Sequence, residues 1–465
     1  MKHNFWVIQL FAGLLLLMTA CEKDEETIVD GSDKIDAATL ATNGWIKDNM
    51  ETFYLWNDRM PDVDETQEED PALYFEKLLY TDEDEWSWIT DDYSSLAADF
   101  SGVPVTMGFE PAFYLFSDNT SVFIVVKYVY PNSPAEEAGL KRGDIILEID
   151  NTAMTTDNYY DLYSGSSYSV QLGLLSGSSI GLSGASYDLT ARVVSTDPSV
   201  YHTVLDADGT KVGYLAYVEF VAGDDDKFLS SMDEIFDDFK AEGIRDLVVD
   251  LRYNPGGEID AASYLASTIA PASVVTNHET LINLQFNDDV QAAYEYYYPD
   301  ELYYSFTDTT TVNMNLGTVY FLTTSGTASA SELLITGLAP YMNVVQIGEA
   351  TYGKYTGMYV LPDDNEEWCM LPVVMKYANA NGYTDFSDGL QPDYEILDDL
   401  LETVPFGDPA DPMLAQALSL ITTGAPVATA SVKSAKMKLI SRELNPAKME
   451  LKRNLFVPHG KVISE

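Results

Sequence analysis

The chain has 465 residues, 46% of them hydrophobic and 12% aromatic, so it is globular rather than disordered and long enough for two or three domains. Its 75 Asp+Glu outweigh 25 Lys+Arg, a formal charge of −50, and a field of that sign excludes a phosphate backbone, so no nucleic acid is expected as a partner. Four histidines and two cysteines form no Cys/His cluster, so neither a metal site nor a disulfide framework is expected.

Residues 1–20 read as a targeting segment. Lys2 and His3 precede an apolar run from Phe5 to Met18, followed by Thr19–Ala20–Cys21: a charged start, an apolar middle and a small-residue exit. The run is too short to span a membrane. Leu17 to Cys21 resembles a bacterial lipobox, which implies cleavage before Cys21 and lipidation of its thiol. Residues 21–37 form an acidic tether, and Glu22–Lys23–Asp24–Glu25–Glu26 is similar to signals that route lipoproteins outward. The expectation is an exported lipoprotein, anchored at the outer membrane or cell surface. The other cysteine, Cys369, sits in an apolar strand-like run and reads as a buried, inert thiol.

Over 38–100 the apolar spacing is helical: Trp45, Met50, Phe53, Tyr54 and Trp56, then Leu73, Phe75, Leu78 and Leu79. The period changes to two over 101–196, with strands at 122–126 and 145–149. Between them Ser133 caps a short helix, Pro134 opens it and Gly139 stops it. Strand, S-P-A-x-x-A-G-L and K-R-G-D-I-I-L-E-I-D together resemble a PDZ domain. That resemblance implies a strand edge that accepts a peptide, and a loop at Thr106–Met107–Gly108–Phe109 that holds its terminal carboxylate. The Ser/Gly/Tyr-rich stretch 158–187 reads as an insertion into that pattern.

Strands and helices alternate over 197–425, which predicts an α/β core with a mainly parallel sheet. Residues 426–465 form a basic tail. The fold class is therefore α/β multidomain: an N-terminal helical segment, a PDZ-like β-rich domain and an α/β core.

Three segments of the core follow predicted strands, where open α/β sheets place their sites. Arg252–Tyr253–Asn254–Pro255–Gly256–Gly257 can turn backbone amides outward. Thr327–Ala328–Ser329–Ala330–Ser331–Glu332 sets a serine at a helix N-terminus, where free amides and the helix dipole favour an oxyanion. Read alone, its S-x-x-E is a capping box. The third segment, Gly348 to Gly357, carries Lys354. No histidine lies in any of the three, so a serine nucleophile here needs a neutral lysine as base. Bringing a lysine from about 10.4 to roughly 7 costs about 4–5 kcal/mol, and burial must supply it. No acid lies nearer along the chain to Lys354 than Glu349 and Asp363.

In this order the three segments resemble the C-terminal processing peptidases, the tail-specific serine proteases with a Ser–Lys dyad. Ser329 and Lys354 are 25 residues apart, as in that family. The resemblance implies Ser329 as nucleophile and Lys354 as general base, with amides of Gly256 or Gly257 and of Ala330 as the oxyanion hole. It implies Gly108 and Phe109 at the peptide site, polypeptide substrates engaged through their C-termini, and no cofactor. Many members carry a glutamine four residues after the lysine, where this chain has Met358. A thioether is a weak acceptor, so Thr356, on the same face of an extended segment, is the expected third member. The alternative reading is a catalytically weak or inactive peptide-binding lipoprotein on the same fold.

Overall fold

The computed structural model describes residues 35–177, 179–308 and 310–427, and the backbone of residues 441–443. The leader, Cys21 and most of the basic tail lie outside the described residues, in which no helix is long and apolar enough to cross a membrane.

The N-terminal helices Ala37–Phe53, Pro71–Leu78 and Tyr93–Phe100 each begin at an aspartate whose carboxylate accepts free first-turn amides: Asp36, Asp70 and Asp92. Their apolar faces meet in one cluster of Ile46, Met50, Tyr74, Phe75 and Leu78, and the cluster continues into Met358, Cys369 and Met370 of the core. Helical periodicity fails at Trp88–Thr90, a strand paired antiparallel with Cys369–Leu371. Tertiary pairing overrides local pattern there. Burial pushes the Cys369 thiol up to about 12, consistent with an inert side chain.

The PDZ-like unit is an antiparallel sheet in the order Ser441–Glu443, Phe109–Phe116, Val122–Val129, Ile145–Ile149, Ser167–Ser176, Ser179–Thr190. Ser133 caps helix Pro134–Ala138, and Gly139 ends it at φ 97°. The stretch 158–187 is not an insertion. Helix Tyr159–Tyr163 packs Tyr159 and Tyr163 edge-on against Phe113, at 5.2 and 5.3 Å between ring centres, and the residues after it form the long hairpin that completes the sheet. Its Ser/Gly content hid this: the first strand buries Tyr168, Val170 and Leu172 at every second position, but Ser179–Thr190 is solvated along most of its length and carries little apolar pattern.

The core sheet runs Ser199–Ala207, Thr210–Tyr217, Asp246–Asp250, Thr318–Thr323, Asn343–Gly348, Tyr394–Glu395. Only the first pair is antiparallel. Helices Lys227–Glu242, Ile259–Ile269 and Ala330–Leu338 bury one face of it, and Pro412–Thr423 the other. A second, antiparallel sheet (Tyr303–Ser305, Thr280–Phe286, Val373–Asn379, Thr356–Met358) flanks the helix Ala330–Leu338 and was not anticipated. Register sets Asp250 beside Leu322, and Thr323 beside Gly348, so the three site-bearing segments leave the sheet at one end.

Candidate active site

Strand Thr318–Thr323 passes into helix Ala330–Leu338 through a tight turn in which Ser329 takes φ 56°, ψ −112°. A non-glycine residue there is strained, and persists only when its surroundings over-determine it. Here they do. Thr327 Oγ1 donates to Leu251 O (2.8 Å), Ala328 N donates to Asn254 O (3.1 Å), and Ser331 Oγ donates to the same carbonyl (3.0 Å). The turn is thus sewn to the segment 251–257. Ser329 N donates to Glu332 Oε2 (2.8 Å), and among the described residues the buried Ser329 hydroxyl has no hydrogen-bond partner.

Gly256 and Gly257 lie at φ 113° and 134°, where glycine is favoured. A Cβ on Gly256 would come within 2.7 Å of Ser329 Cβ and 3.0 Å of Ala330 N, so this backbone is pressed against the serine. Its own amide is occupied, donating to Asn254 Oδ1 (2.9 Å). Among the described residues the Gly257 and Ala330 amides have no protein acceptor, which separates the two glycines that the sequence left as alternatives.

The strand end below them is held by Arg252. Its guanidinium is buried and meets three carboxylates: Asp250 through Nε and Nη2 (Nη2–Oδ2 2.6 Å), Asp398 (3.0 Å) and Asp411 (2.8 Å). Burial pushes the Asp250 carboxyl up, but Arg252 and the Tyr214 hydroxyl hold it below the usual range. From the PDZ-like unit, Arg142 Nη1 donates to Tyr253 Oη (2.8 Å) and to Lys127 O (2.7 Å), with the guanidinium 5.1 Å over the Tyr253 ring. The two units therefore meet at the residue between Arg252 and Asn254.

Lys354 follows Gly353 (φ 99°) and is buried. Burial drives its amine well below the ordinary lysine value, against smaller opposing pulls from Asp84 and Glu332. The sequence-local view of its acids was incomplete, since both carboxylates come from elsewhere in the chain. Glu332 is the larger omission. Its buried carboxylate accepts from Ser329 N, Lys354 N (2.9 Å), Gly353 N (2.7 Å) and Thr351 Oγ1 (2.5 Å), and burial pushes it up to about 7 against those four donors. Tyr377 Oη, shared between Ser329 O (3.0 Å) and Lys354 O (3.3 Å), is a second bridge. Neither bridge was legible beyond the S-x-x-E spacing.

Lys354 Nζ donates to Met358 Sδ (3.3 Å) and makes no direct bond to the Ser329 hydroxyl. Thr356, expected as third member, shares that strand face, yet among the described residues its buried hydroxyl has no partner. Met358 is longer and reaches the amine. Of the remaining predicted residues, Phe109 packs its ring on Tyr163 and Gly108 donates its amide to Thr106 Oγ1 (3.0 Å), both within the PDZ-like unit. Among the described residues no His/Cys/Asp/Glu group could hold a metal ion.

Comparison with known proteins agrees with this architecture. The family model Peptidase family S41 matches residues 211–396, the Peptidase S41 N-terminal domain residues 41–88, and the PDZ domain residues 125–170. The carboxyl-terminal-processing protease of Synechocystis is 27% identical over 64% of this chain and 64% of its own length. The chloroplastic carboxyl-terminal-processing peptidase 2 of Arabidopsis thaliana is 25% identical over 70% and 61%. The chain thus spans a little under two thirds of each of these relatives. A solved structure assigned as an S41 protease from Bacteroides fragilis is 30% identical, with a TM-score of 0.69 over 82% of this chain and 97% of that one. With sequence, fold and domain order in agreement, the chain belongs to peptidase family S41.

Proposed function

We propose that this chain is a serine peptidase of the C-terminal processing type, in which Ser329 is the nucleophile and Lys354 the general base. The observation that carries the reading is the joint placement of the two. A serine hydroxyl free of partners stands at a strained helix N-terminus, and Glu332 ties its backbone to that of a buried lysine with a depressed pKa. In the reaction, Ser329 Oγ attacks the scissile carbonyl carbon as its proton passes to Lys354 Nζ. The carbonyl oxygen, now an anion, takes hydrogen bonds from the Gly257 and Ala330 amides. The ammonium returns the proton to the departing amine, leaving an acyl-serine, and water cleaves that ester by the same steps in reverse order. To reach Ser329, Nζ swings away from Met358, a tightening expected once substrate is bound. Intact-mass measurement with a serine-directed acylating probe tests the assignment. Wild type is expected to gain one adduct on Ser329 and Ser329→Ala none; an unmodified wild-type protein would sink it.

The weak acceptor at Met358 has a consequence for rate. Met358→Gln offers the lysine amine a carbonyl in place of a thioether, worth about 0.5–1.5 kcal/mol for a neutral hydrogen bond, so kcat should rise roughly two- to tenfold. An unchanged kcat would mean that the sulfur contact does not limit the base.

We propose further that substrates are exported polypeptides engaged through their C-termini by the PDZ-like unit, and that Cys21 carries the lipid that anchors the protein. The Leu17–Cys21 sequence supports the anchor. Cys21→Ser is expected to move the protein from the membrane to the soluble fraction; its retention in membranes would contradict the lipid assignment.

A further inference from the structure

We propose that the basic C-terminal tail of this chain is a built-in competitor, a strand that occupies the peptide-accepting edge of the PDZ-like sheet and must leave before a substrate can bind. The inference rests on the reading of that unit as a C-terminus binder, and deepens it by naming an occupant.

Strand Phe109–Phe116 is paired with Val122–Val129 on one side. On its other side the described residues hold only Ser441–Glu443, in antiparallel register: Ser441 opposite Phe116, Arg442 opposite Leu115, Glu443 opposite Tyr114. This edge begins at the Thr106–Phe109 loop and lies beside helix Tyr159–Tyr163, whose Tyr163 ring stands 6.0 Å from that of Phe109. A peptide whose carboxylate lies at the loop has its end near Phe109 and its earlier residues near Phe116. It must therefore run antiparallel to the strand, and the tail runs in that same direction. A ligand strand and the tail strand cannot both use the backbone groups of Tyr114 to Phe116.

Charge and tether favour the chain's own tail as occupant. Residues 428–465 hold eight of the 25 Lys+Arg and three of the 75 Asp+Glu, so a basic segment returns to an acidic body. Residues 428–440 join it to the core and can reach about 45 Å, so the tail meets the edge at the effective concentration of a tethered ligand rather than of a free peptide. Three pairs make a short strand, which suits a competitor that has to be displaced.

The test is made in Ser329→Ala protein, so that the probe is not consumed. A labelled ten-residue peptide ending in Leu-Val-Val with a free carboxylate is titrated against the full chain and against a chain ending at Val427. The shortened chain is expected to bind roughly tenfold more tightly, the factor for an edge open about a tenth of the time. A second variant, Phe116→Cys with Ser441→Cys, addresses the same point with the tail present. These residues are register partners in the antiparallel pair, the backbone arrangement in which cross-strand cysteines can be joined. Oxidation is expected to form the bond and weaken peptide binding, and reduction to restore it. Equal affinity of full and shortened chains overturns the proposal alone, as does a double-cysteine protein that does not crosslink or binds equally well in both states. Peptide bound by neither chain brings down the C-terminus-binding reading of the edge and the proposal with it.

Discussion

Lys354→Arg is expected to be as inactive as Lys354→Ala and Ser329→Ala, each with kcat lowered by roughly 10⁴-fold or more, because members of a nucleophile–base unit fail together. A guanidinium cannot give up its proton in the working range, so shape and charge similar to lysine do not help. An active Lys354→Arg enzyme would end the mechanism. Stability supplies a separate readout that a merely structural lysine would not give. Burial holds the folded-state lysine below its ordinary value of 10.5. Between those two values the unfolded chain binds a proton that the folded chain refuses, so folding is opposed more strongly as pH falls. Lys354→Met removes that opposition. It should abolish turnover yet raise the urea midpoint, most at neutral and acidic pH, with the gain fading as pH approaches 10.5. A loss of stability at pH 7 would contradict a desolvated amine.

Arg252→Ala should cost about 3–5 kcal/mol at pH 7, because it leaves Asp250, Asp398 and Asp411 facing one another in the interior without their shared cation. The pH dependence follows from the shifts. In the wild type, Arg252 keeps the Asp250 carboxyl below 3.8, so its stabilising contribution is present above that value and lost as pH falls through the folded one. In the variant the Tyr214 hydroxyl and the more distant Arg142 still favour the carboxylate, but burial, the largest influence, has lost its main opponent and raises the carboxyl instead. That contribution is present at low pH and lost as pH rises. The variant's effect narrows the gap between the two proteins from pH 7 toward pH 4, measurable as converging urea midpoints, and the wild-type loss adds to it only below 3.8. Arg252→Lys should recover little, since one ammonium cannot present a fork to Asp250 while also reaching Asp398 and Asp411. Because Arg252 anchors the segment that leads to Gly257, activity should fall in Arg252→Ala even where the protein remains folded. A variant with wild-type stability at pH 7 would mean the three carboxylates find other partners.

The serine and lysine segments were legible because their chemistry needs local sequence: small residues for a tight strand-to-helix turn, glycines beside a close backbone approach, a lysine in a turn without near acids. Helices with aspartate caps, and the hydrophobic parallel strands, were legible for the same reason. Each is decided by a few neighbouring residues.

What sequence alone offered, then, is the succession of helical, PDZ-like and α/β segments, the proposed pair Ser329 and Lys354, and the absence of any histidine from the three segments that carry it. Tertiary structure decided the rest. Glu332 became a bridge, and not merely a cap, because Gly353 and Lys354 return to it from 21 and 22 residues further on. Gly257, rather than Gly256, kept a free amide because Asn254 took the other. Met358, not Thr356, met the lysine amine because side-chain reach matters more than acceptor strength once the strand is placed. The tail found the edge of Phe109–Phe116 across more than 300 residues. Local pattern specifies torsions and faces; which donor meets which acceptor is settled only when distant segments pack and every buried polar group needs a partner.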